Sequence, residues 1–375
     1  MVLILVATGV LTALSLLIAL LIRLVWVLRR RKPQRFWRRT LWCHLVLVPV
    51  YLLIVVPLAM AWFITRSVGT RGDERGYQGP RVAADGSWIP QDRATLKAER
   101  NGRKVDSELL AAARSKTVHF SARDGVPLRG FFVSARKPGR NLGVVLVHGL
   151  FRGGLELDRV AAMFHQLGAD VLILEMRNHG GSGRAPATFG LHESRDVLAA
   201  VDFLRARPGH HEDRIVLFGV SLGSAAVALA APQVPDLAGL VLDAPMTNIA
   251  DTAARMLSAP SRNGSTSPQI PAPLRFLILK YAELWSGLKL SQIRPIDALQ
   301  RLPLDLPVLL IGESEDYRVP PSVVRAAYET LPQSPGVKQL WIRQGSGHGK
   351  AWLDDPAGYQ AHLADFLTRV DGSSM

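Results

Sequence analysis

Gly219, Val220, Ser221, Leu222 and Gly223 stand between a strand-like run, Arg214 to Phe218, and a run of small residues, Ser224 to Ala231, suited to a helix. A chain that passes from strand to helix within so few residues must turn sharply, and the residue at the apex is driven into strained φ/ψ. Side chains on either flank would meet neighbouring backbone, so both flanks call for small residues, and glycine holds both places. The segment therefore predicts a strand–turn–helix unit that lifts the Ser221 hydroxyl to the tip of a turn.

The rest of the C-terminal two thirds supplies the sheet that such a unit needs. Thr117 to Ala122 and Leu128 to Ser134 read as two strands joined across Asp124 and Gly125 as a hairpin. Leu142 to Val147 is a nearly continuous apolar run ending at His148 and Gly149, the pattern of a strand buried on both faces. Further strands are expected at Val171 to Leu174, Ile215 to Phe218, Gly239 to Leu242, Val308 to Ile311 and Val337 to Ile342. Helices are expected at Leu155 to Leu167, Ser194 to Arg205, Val323 to Leu331 and Ala357 to Val370. A hairpin followed by strands alternating with helices implies an α/β domain over 117–375, with an eight-stranded, mostly parallel sheet covered on both faces. One stretch breaks the alternation, about 246–303. Ser258 to Pro273 is loop chemistry, and Leu274 to Leu288 is a helix carrying Phe276, Leu277, Tyr281, Leu284 and Trp285. A long insertion beside a sheet is usually functional, and an aromatic helix there fits a lid over an apolar pocket; ordinary packing is the competing account.

The N-terminal third is of another kind. Leu3 to Ile22 is twenty residues without a charge, and Leu41 to Thr65 is twenty-five more whose ionisable side chains are Cys43, His44 and Tyr51. Each is long enough, as a helix, to cross a hydrocarbon layer of about 30 Å, so 1–65 reads as a two-helix transmembrane anchor. A signal peptide fits the first run poorly, because no basic residue precedes it and a second apolar run follows at once. The loop between the runs holds Arg29, Arg30, Arg31, Lys32, Arg35, Arg38 and Arg39, half of the net charge of +14. The positive-inside rule places that loop in the cytoplasm and everything after Thr65 on the other, extracytoplasmic or periplasmic, side. Residues 66–116 are polar and read as a tether, with one short helix near Ser107 to Ala113. Basic charge concentrated beside spans points to anionic headgroups, and no nucleic-acid motif accompanies it. The single cysteine, Cys43, excludes an intramolecular disulfide.

A serine on a sharp turn becomes a nucleophile when a base takes its proton, an acid fixes the tautomer of that base, and donors await the oxyanion. His348 follows the last expected strand within Gly345, Ser346, Gly347, His348 and Gly349, a loop flexible enough to carry an imidazole to the serine. His362, the other histidine after Ser221, falls inside the last expected helix and suits packing. After Val308 to Ile311 come Gly312, Glu313, Ser314, Glu315, Asp316, Tyr317, Arg318, Val319 and Pro320. The segment resembles the HGxxDxxVP loop of α/β-hydrolases. Counting from Val319 and Pro320 selects Asp316, counting from Gly312 selects Glu315, and the shorter side chain, which holds an imidazole more rigidly, favours Asp316.

His148, Gly149 and Leu150 resemble the HGxx loop of the same family. Glu175 with Arg177 to Ser182 resembles its DxRGHGxS turn, in which the place of His179 is structural. With these landmarks in order, 117–370 resembles an α/β-hydrolase of the serine-aminopeptidase-like kind. The resemblance implies Ser221, His348 and Asp316 as the catalytic residues, in the chain order serine, acid, histidine, and the Leu150 and Leu222 amides as the oxyanion hole. His210, His211, Glu212 and Asp213 read better as a solvated turn than as a metal site, and neither metal nor cofactor is expected. The expectation is a membrane-anchored serine hydrolase acting on a carboxylic ester, thioester or amide, with the lipid bilayer and an apolar acyl substrate as partners. An acyltransferase on the same scaffold, or a binding protein that retains the fold, stays open, and so does the oligomeric state.

Overall fold

The computed structural model of the 375-residue chain describes residues 49–66, 77–83, 87–89, 91–92, 113–114, 116–135, 141–207, 214–258, 270–345 and 347–372, with isolated positions at 21, 25, 42, 45, 46 and 97. Tyr51–Val55 is a π-helical stretch that runs into helix α1, Val56–Arg66. The first expected span, 3–22, and the first part of the second lie almost wholly outside the described residues. Among the described residues no helix is long and apolar enough to cross a membrane.

Three short strands, β1 (Arg81–Val82), β2 (Trp88–Ile89) and β3 (Ala113–Arg114), pair antiparallel in the order β2-β1-β3. They fall in the stretch expected to be a tether, and its described residues do not stand off from the domain. The ring of Tyr77 packs edge-on against Phe131 with centroids 5.3 Å apart, and its hydroxyl donates to Asp158 Oδ1 at 2.6 Å. Trp88 Nε1 and the Gln91 amide donate to Asp158 Oδ2 at 3.3 and 2.9 Å. Of the helix expected at Ser107 to Ala113, residues 107–112 lie outside the described residues and Ala113 belongs to β3.

The main sheet has eight strands: β4 (Lys116–Ser121), β5 (Pro127–Val133), β6 (Leu142–Val147), β7 (Asp170–Glu175), β8 (Arg214–Val220), β9 (Leu237–Asp243), β10 (Val308–Glu313) and β11 (Lys338–Arg343). Their spatial order is β11-β10-β9-β8-β6-β7-β5-β4. The β4–β5 hairpin and the β5–β7 pair are antiparallel, and the other neighbours are parallel. Both faces of β6, β7 and β10 are buried, which explains why those strands read as unbroken apolar runs. Alternate residues serve opposite cores. Val145, Val147 and Leu217 pack with α3 (Glu193–Arg205) and α4 (Leu222–Ala230) on one face, whereas Val144, Leu146 and Phe218 pack with α2 (Asp158–Gln166) and the C-terminal helix on the other.

The insertion after β9 contains helices α5 (Ile249–Ser258), α6 (Ala272–Ser286) and α7 (Pro295–Leu299); residues 259–269 lie outside the described residues. Helix α6 packs along α1, with Ala61 of α1 and Ile278 and Ala282 of α6 buried. Helix α8 (Pro321–Thr330) follows β10, and α9 (Ala351–Asp354) and α10 (Pro356–Gly372) close the domain. Every crossover thus delivers a loop to the carboxyl edge of the parallel strands, where sites of such sheets gather.

Candidate active site

Ser221 caps the junction of β8 and α4 with φ +53° and ψ −116°, a conformation that an L-residue adopts only when its surroundings enforce it. Its amide donates to the Asp243 carbonyl at 2.9 Å, which ties the turn to the end of β9. The two glycines are required by contact. A Cβ on Gly219 would lie 2.4 Å from the Gly223 carbonyl oxygen, and one on Gly223 would lie 2.2 Å from the Val147 oxygen and 2.6 Å from that of His148. Ser224 Oγ bonds back to the Ser221 carbonyl at 2.5 Å and accepts the Met246 amide at 3.0 Å, so the first turn of α4 is also held to the chain leaving β9.

Ser221 Oγ lies 2.7 Å from His348 Nε2, and His348 Nδ1 lies 2.7 Å from Asp316 Oδ2. These three residues come from the ends of β8, β11 and β10, separated by up to 127 positions in sequence. The Asp316 side chain is 1% exposed, and its other oxygen, Oδ1, accepts the amides of Arg318 and Val319 at 2.9 and 3.1 Å. The carboxylate is therefore aimed at the imidazole by main chain rather than by a mobile side chain. Glu315, the alternative acid, is exposed, and its amide donates to the Gly345 carbonyl; it is not brought to His348.

Leu222 opens α4, where the first amides of a helix lack intrahelical acceptors, so its N–H is available beside the serine. The loop after β6 approaches from the other side: a Cβ on Gly149 would lie 3.5 Å from Ser221 Cβ. Leu150 follows, then Phe151 at φ +61°, a left-handed conformation costly for so bulky a residue and a sign that the loop is held in place. Glu156 does part of the holding, since its Oε2 accepts the Gly149 amide at 2.6 Å while Oε1 pairs with Arg152 Nε at 3.3 Å.

The neighbouring histidines are buried and bonded to main chain. His148 is fully buried, its Nε2 accepting the Met176 amide at 3.2 Å and its Nδ1 lying 2.8 Å from the Gly149 oxygen; burial, aided by the adjacent His179, pulls its pKa down to about 3. His179, held down likewise by burial, bonds the Arg177 carbonyl at 3.0 Å. The turn that carries it is fastened by Arg129 and Gly181, which both donate to Glu175, and by the buried Arg177–Asp196 pair at 2.6 Å. His362 stacks on Trp341 with centroids 4.4 Å apart, a packing role.

Three acidic residues near the site carry no motif in the sequence. Glu313 is buried, accepts the Lys350 amide at 2.9 Å and sits against Gly347, so it clamps the histidine loop from below; burial raises its pKa. Asp243, fully buried with its pKa pushed well up by desolvation, accepts the Tyr359 hydroxyl at 2.9 Å. Glu156 is the third. Each partner is distant in sequence or is a main-chain group, which no local spacing announces. Among the described residues no cluster of His, Cys, Asp or Glu could hold a metal, and 210–213 lie outside them.

A doubly covered parallel sheet with a strained serine, a histidine and a carboxylate converging at its carboxyl edge defines an α/β-hydrolase architecture. The chain belongs to the alpha/beta hydrolase family, whose model matches residues 144–361. It is 25% identical over 252 residues to the uncharacterized protein YqkD of Bacillus subtilis, covering 67% of this chain and 78% of that one. It is 27% identical over 257 residues to the alpha/beta hydrolase domain-containing protein WAV2 of Arabidopsis thaliana, with the same coverage of 67% and 78%. Among solved structures, the Pyrococcus furiosus esterase Pf2001 superposes with a TM-score of 0.55 at 22% identity, covering 68% of this chain and 92% of that one, which shows a shared fold.

Proposed function

We propose that this chain is a membrane-anchored serine hydrolase that cleaves a carboxylic ester of an apolar acyl group through an acyl-enzyme. The observation that carries the reading is the unbroken relay Ser221 Oγ, His348 Nε2, His348 Nδ1, Asp316 Oδ2, with both links at 2.7 Å. Ser221 Oγ attacks the carbonyl carbon as its proton passes to His348 Nε2, and the Leu222 and Leu150 amides receive the oxyanion. Removing one such donor typically costs about 3 kcal/mol of transition-state stabilisation. Collapse breaks the ester C–O bond, and the leaving alcohol takes the proton from Nε2. Water then attacks the acyl carbon, gives its proton to Nε2 and releases the acid, and the proton returns to Ser221. Asp316 accepts from Nδ1–H throughout and stabilises the imidazolium without itself taking the proton.

The DxRGHGxS-like turn at Glu175 to Ser182 supports the serine-aminopeptidase-like branch. The uncharged runs 3–22 and 41–65 support the anchor, and the basic loop between them supports an extracytoplasmic site. The preference for an apolar substrate draws on the insertion. Helix α6 packs along α1, the last part of the second run, and the two helices leave Trp62, Phe63, Phe276, Leu284 and Trp285 exposed. Labelling of membranes with a fluorophosphonate probe tests the chemistry. Wild type should label, and Ser221→Ala and His348→Ala should not; a folded wild type that stays unlabelled refutes the reading. A reporter fused after Val370 that is active in the cytoplasm would reverse the orientation.

A further inference from the structure

Beside the relay lies a cavity of about 300 Å³ whose wall includes Asp92, Arg152, Glu156, Arg159, Gly349, Lys350 and Trp352. Two of its walls are also walls of the active site. Gly349 follows His348, and a Cβ placed on it would lie 2.5 Å from Val220, the residue before Ser221. Glu156 holds the Gly149 amide, in the loop that borders Ser221. The cavity is therefore bordered by residues of the two loops that flank Ser221.

Its charge is unbalanced in a specific way. Glu156 is already engaged by the Gly149 amide and by Arg152, which also neutralises it. Arg159 and Lys350 are half-buried; Arg159 lies in the field of the buried Asp158, and on the cavity wall the cations Arg152, Arg159 and Lys350 face the acids Asp92 and Glu156, a surplus of positive charge. A half-buried wall with surplus positive charge favours a ligand that brings a negative one. Trp352, buried, and Leu353, 48% exposed, add an apolar border to the cationic wall.

We infer that this cavity is a subsite for an anionic group, carboxylate or phosphate, carried by the substrate at a short distance from the ester, with Arg159 and Lys350 as its principal contacts. The inference rests on Ser221 being the nucleophile. It narrows the substrate class from apolar esters to amphiphilic ones with a negatively charged end. Guanidinium and ammonium donors both suit such oxygens, the first by bidentate geometry and the second as a point charge.

The test uses the full-length protein in detergent and has two arms. In the kinetic arm, the mono-p-nitrophenyl ester of adipic acid is compared with p-nitrophenyl hexanoate, which has the same chain length without the carboxylate. Wild type should favour the anionic ester in kcat/KM by about tenfold at low salt, and the preference should shrink as ionic strength rises. In Arg159→Gln/Lys350→Gln the ratio should fall to about one, through KM of the anionic ester. In the binding arm, calorimetric titration with hexyl phosphate against hexanol reads the subsite without turnover, and saturable binding of the phosphate should vanish in the double variant. Preference for either anion that the double variant loses supports the subsite and names the group it takes. Equal handling of charged and neutral partners in both arms, or a preference that the double variant keeps, overturns it. Loss of all turnover in wild type with phosphate binding intact would instead count against the hydrolase reading and leave the subsite standing.

Discussion

Replacing Asp316 by asparagine isolates the contribution of one oxygen to the relay. In the native site Oδ1 is surrounded by donors, the amides of Arg318 and Val319 at 2.9 and 3.1 Å, and Oδ2 faces His348 Nδ1 at 2.7 Å. Asparagine must therefore keep its carbonyl oxygen where Oδ1 stood and point its NH2 at the imidazole. The opposite placement would set an NH2 against two N–H donors, leaving them unsatisfied at about 1–3 kcal/mol each. With an NH2 facing it, Nδ1 must act as acceptor, so the ring proton resides on Nε2, aimed at Ser221 Oγ. The base then has no lone pair for the serine proton. In a triad where this tautomer is imposed the rate falls about 10,000-fold, or about 5.4 kcal/mol at 1.36 kcal/mol per decade. The matching control is Glu315→Gln, which changes an exposed side chain that does not reach His348. Stopped-assay ester hydrolysis and the second-order rate of fluorophosphonate labelling, with circular dichroism to verify folding, would read both variants. A Glu315→Gln loss larger than that of Asp316→Asn, or an Asp316→Asn loss below about tenfold, would refute the argument from the Oδ1 donors.

Gly223→Ala places a methyl 2.2 Å from the Val147 oxygen, where only backbone can yield; a loss of at least about 3 kcal/mol, roughly 6–12 °C in Tm for a domain of this size, is expected, whereas Gly336→Ala, with nothing near its Cβ, should leave thermal unfolding unchanged. Glu156→Gln keeps an acceptor for the Gly149 amide but removes its charge and the Arg152 pair; kcat should fall by about tenfold with KM little changed, and a change confined to KM would contradict a role in holding the oxyanion loop. The folded state holds His148 neutral down to about pH 3 while the unfolded chain protonates it near 6.5, so the unfolded state binds the extra proton in that window and stability falls as pH falls through it. Asp158, raised to about 6 chiefly by burial, acts oppositely between about pH 4 and 6; urea unfolding of His148→Gln should therefore show a weaker loss below pH 6.5 than wild type, and an unchanged slope would exclude His148 as its source.

The parallel strands were legible because burial on both faces leaves a one-dimensional mark: Leu142–Val147 and Val308–Glu313 are apolar almost throughout. The order of Ser221, Asp316 and His348 was legible because each follows a strand of the sheet; Asp316 and Glu315 differed only by where the count began, and in the structure it is Asp316 that lies against His348. Glu156, Glu313 and Asp243 were not legible. Their partners are a main-chain amide seven residues back, another thirty-seven on, and a tyrosine hydroxyl 116 positions away, and a carboxylate in such a place looks in sequence like any surface acid. Helix α5 was missed for a related reason, since it stands in an insertion whose neighbouring loop residues dominate the local composition. The polar segment after Thr65 read as a tether because Tyr77 and Trp88 are isolated among glycine, arginine and aspartate, and a buried aromatic without periodicity leaves no pattern.

Asp158 sits at the start of α2, one turn past the loop that faces Ser221, and takes hydrogen bonds from Tyr77, Trp88 and Gln91. A fragment begun at residue 117 would lose all three donors and open that carboxylate, and the face of Phe131 that Tyr77 covers, to solvent. Tyr77, Trp88 and Gln91 therefore belong to the folded body of the domain. The same part of the chain is tied to the domain at two points: the Thr65 carbonyl accepts the Ala187 amide, and the Tyr77 hydroxyl is fixed on Asp158. Under the anchoring proposed above, those two ties would keep the domain against the end of the second uncharged run, and substrate would reach Ser221 by diffusion in two dimensions.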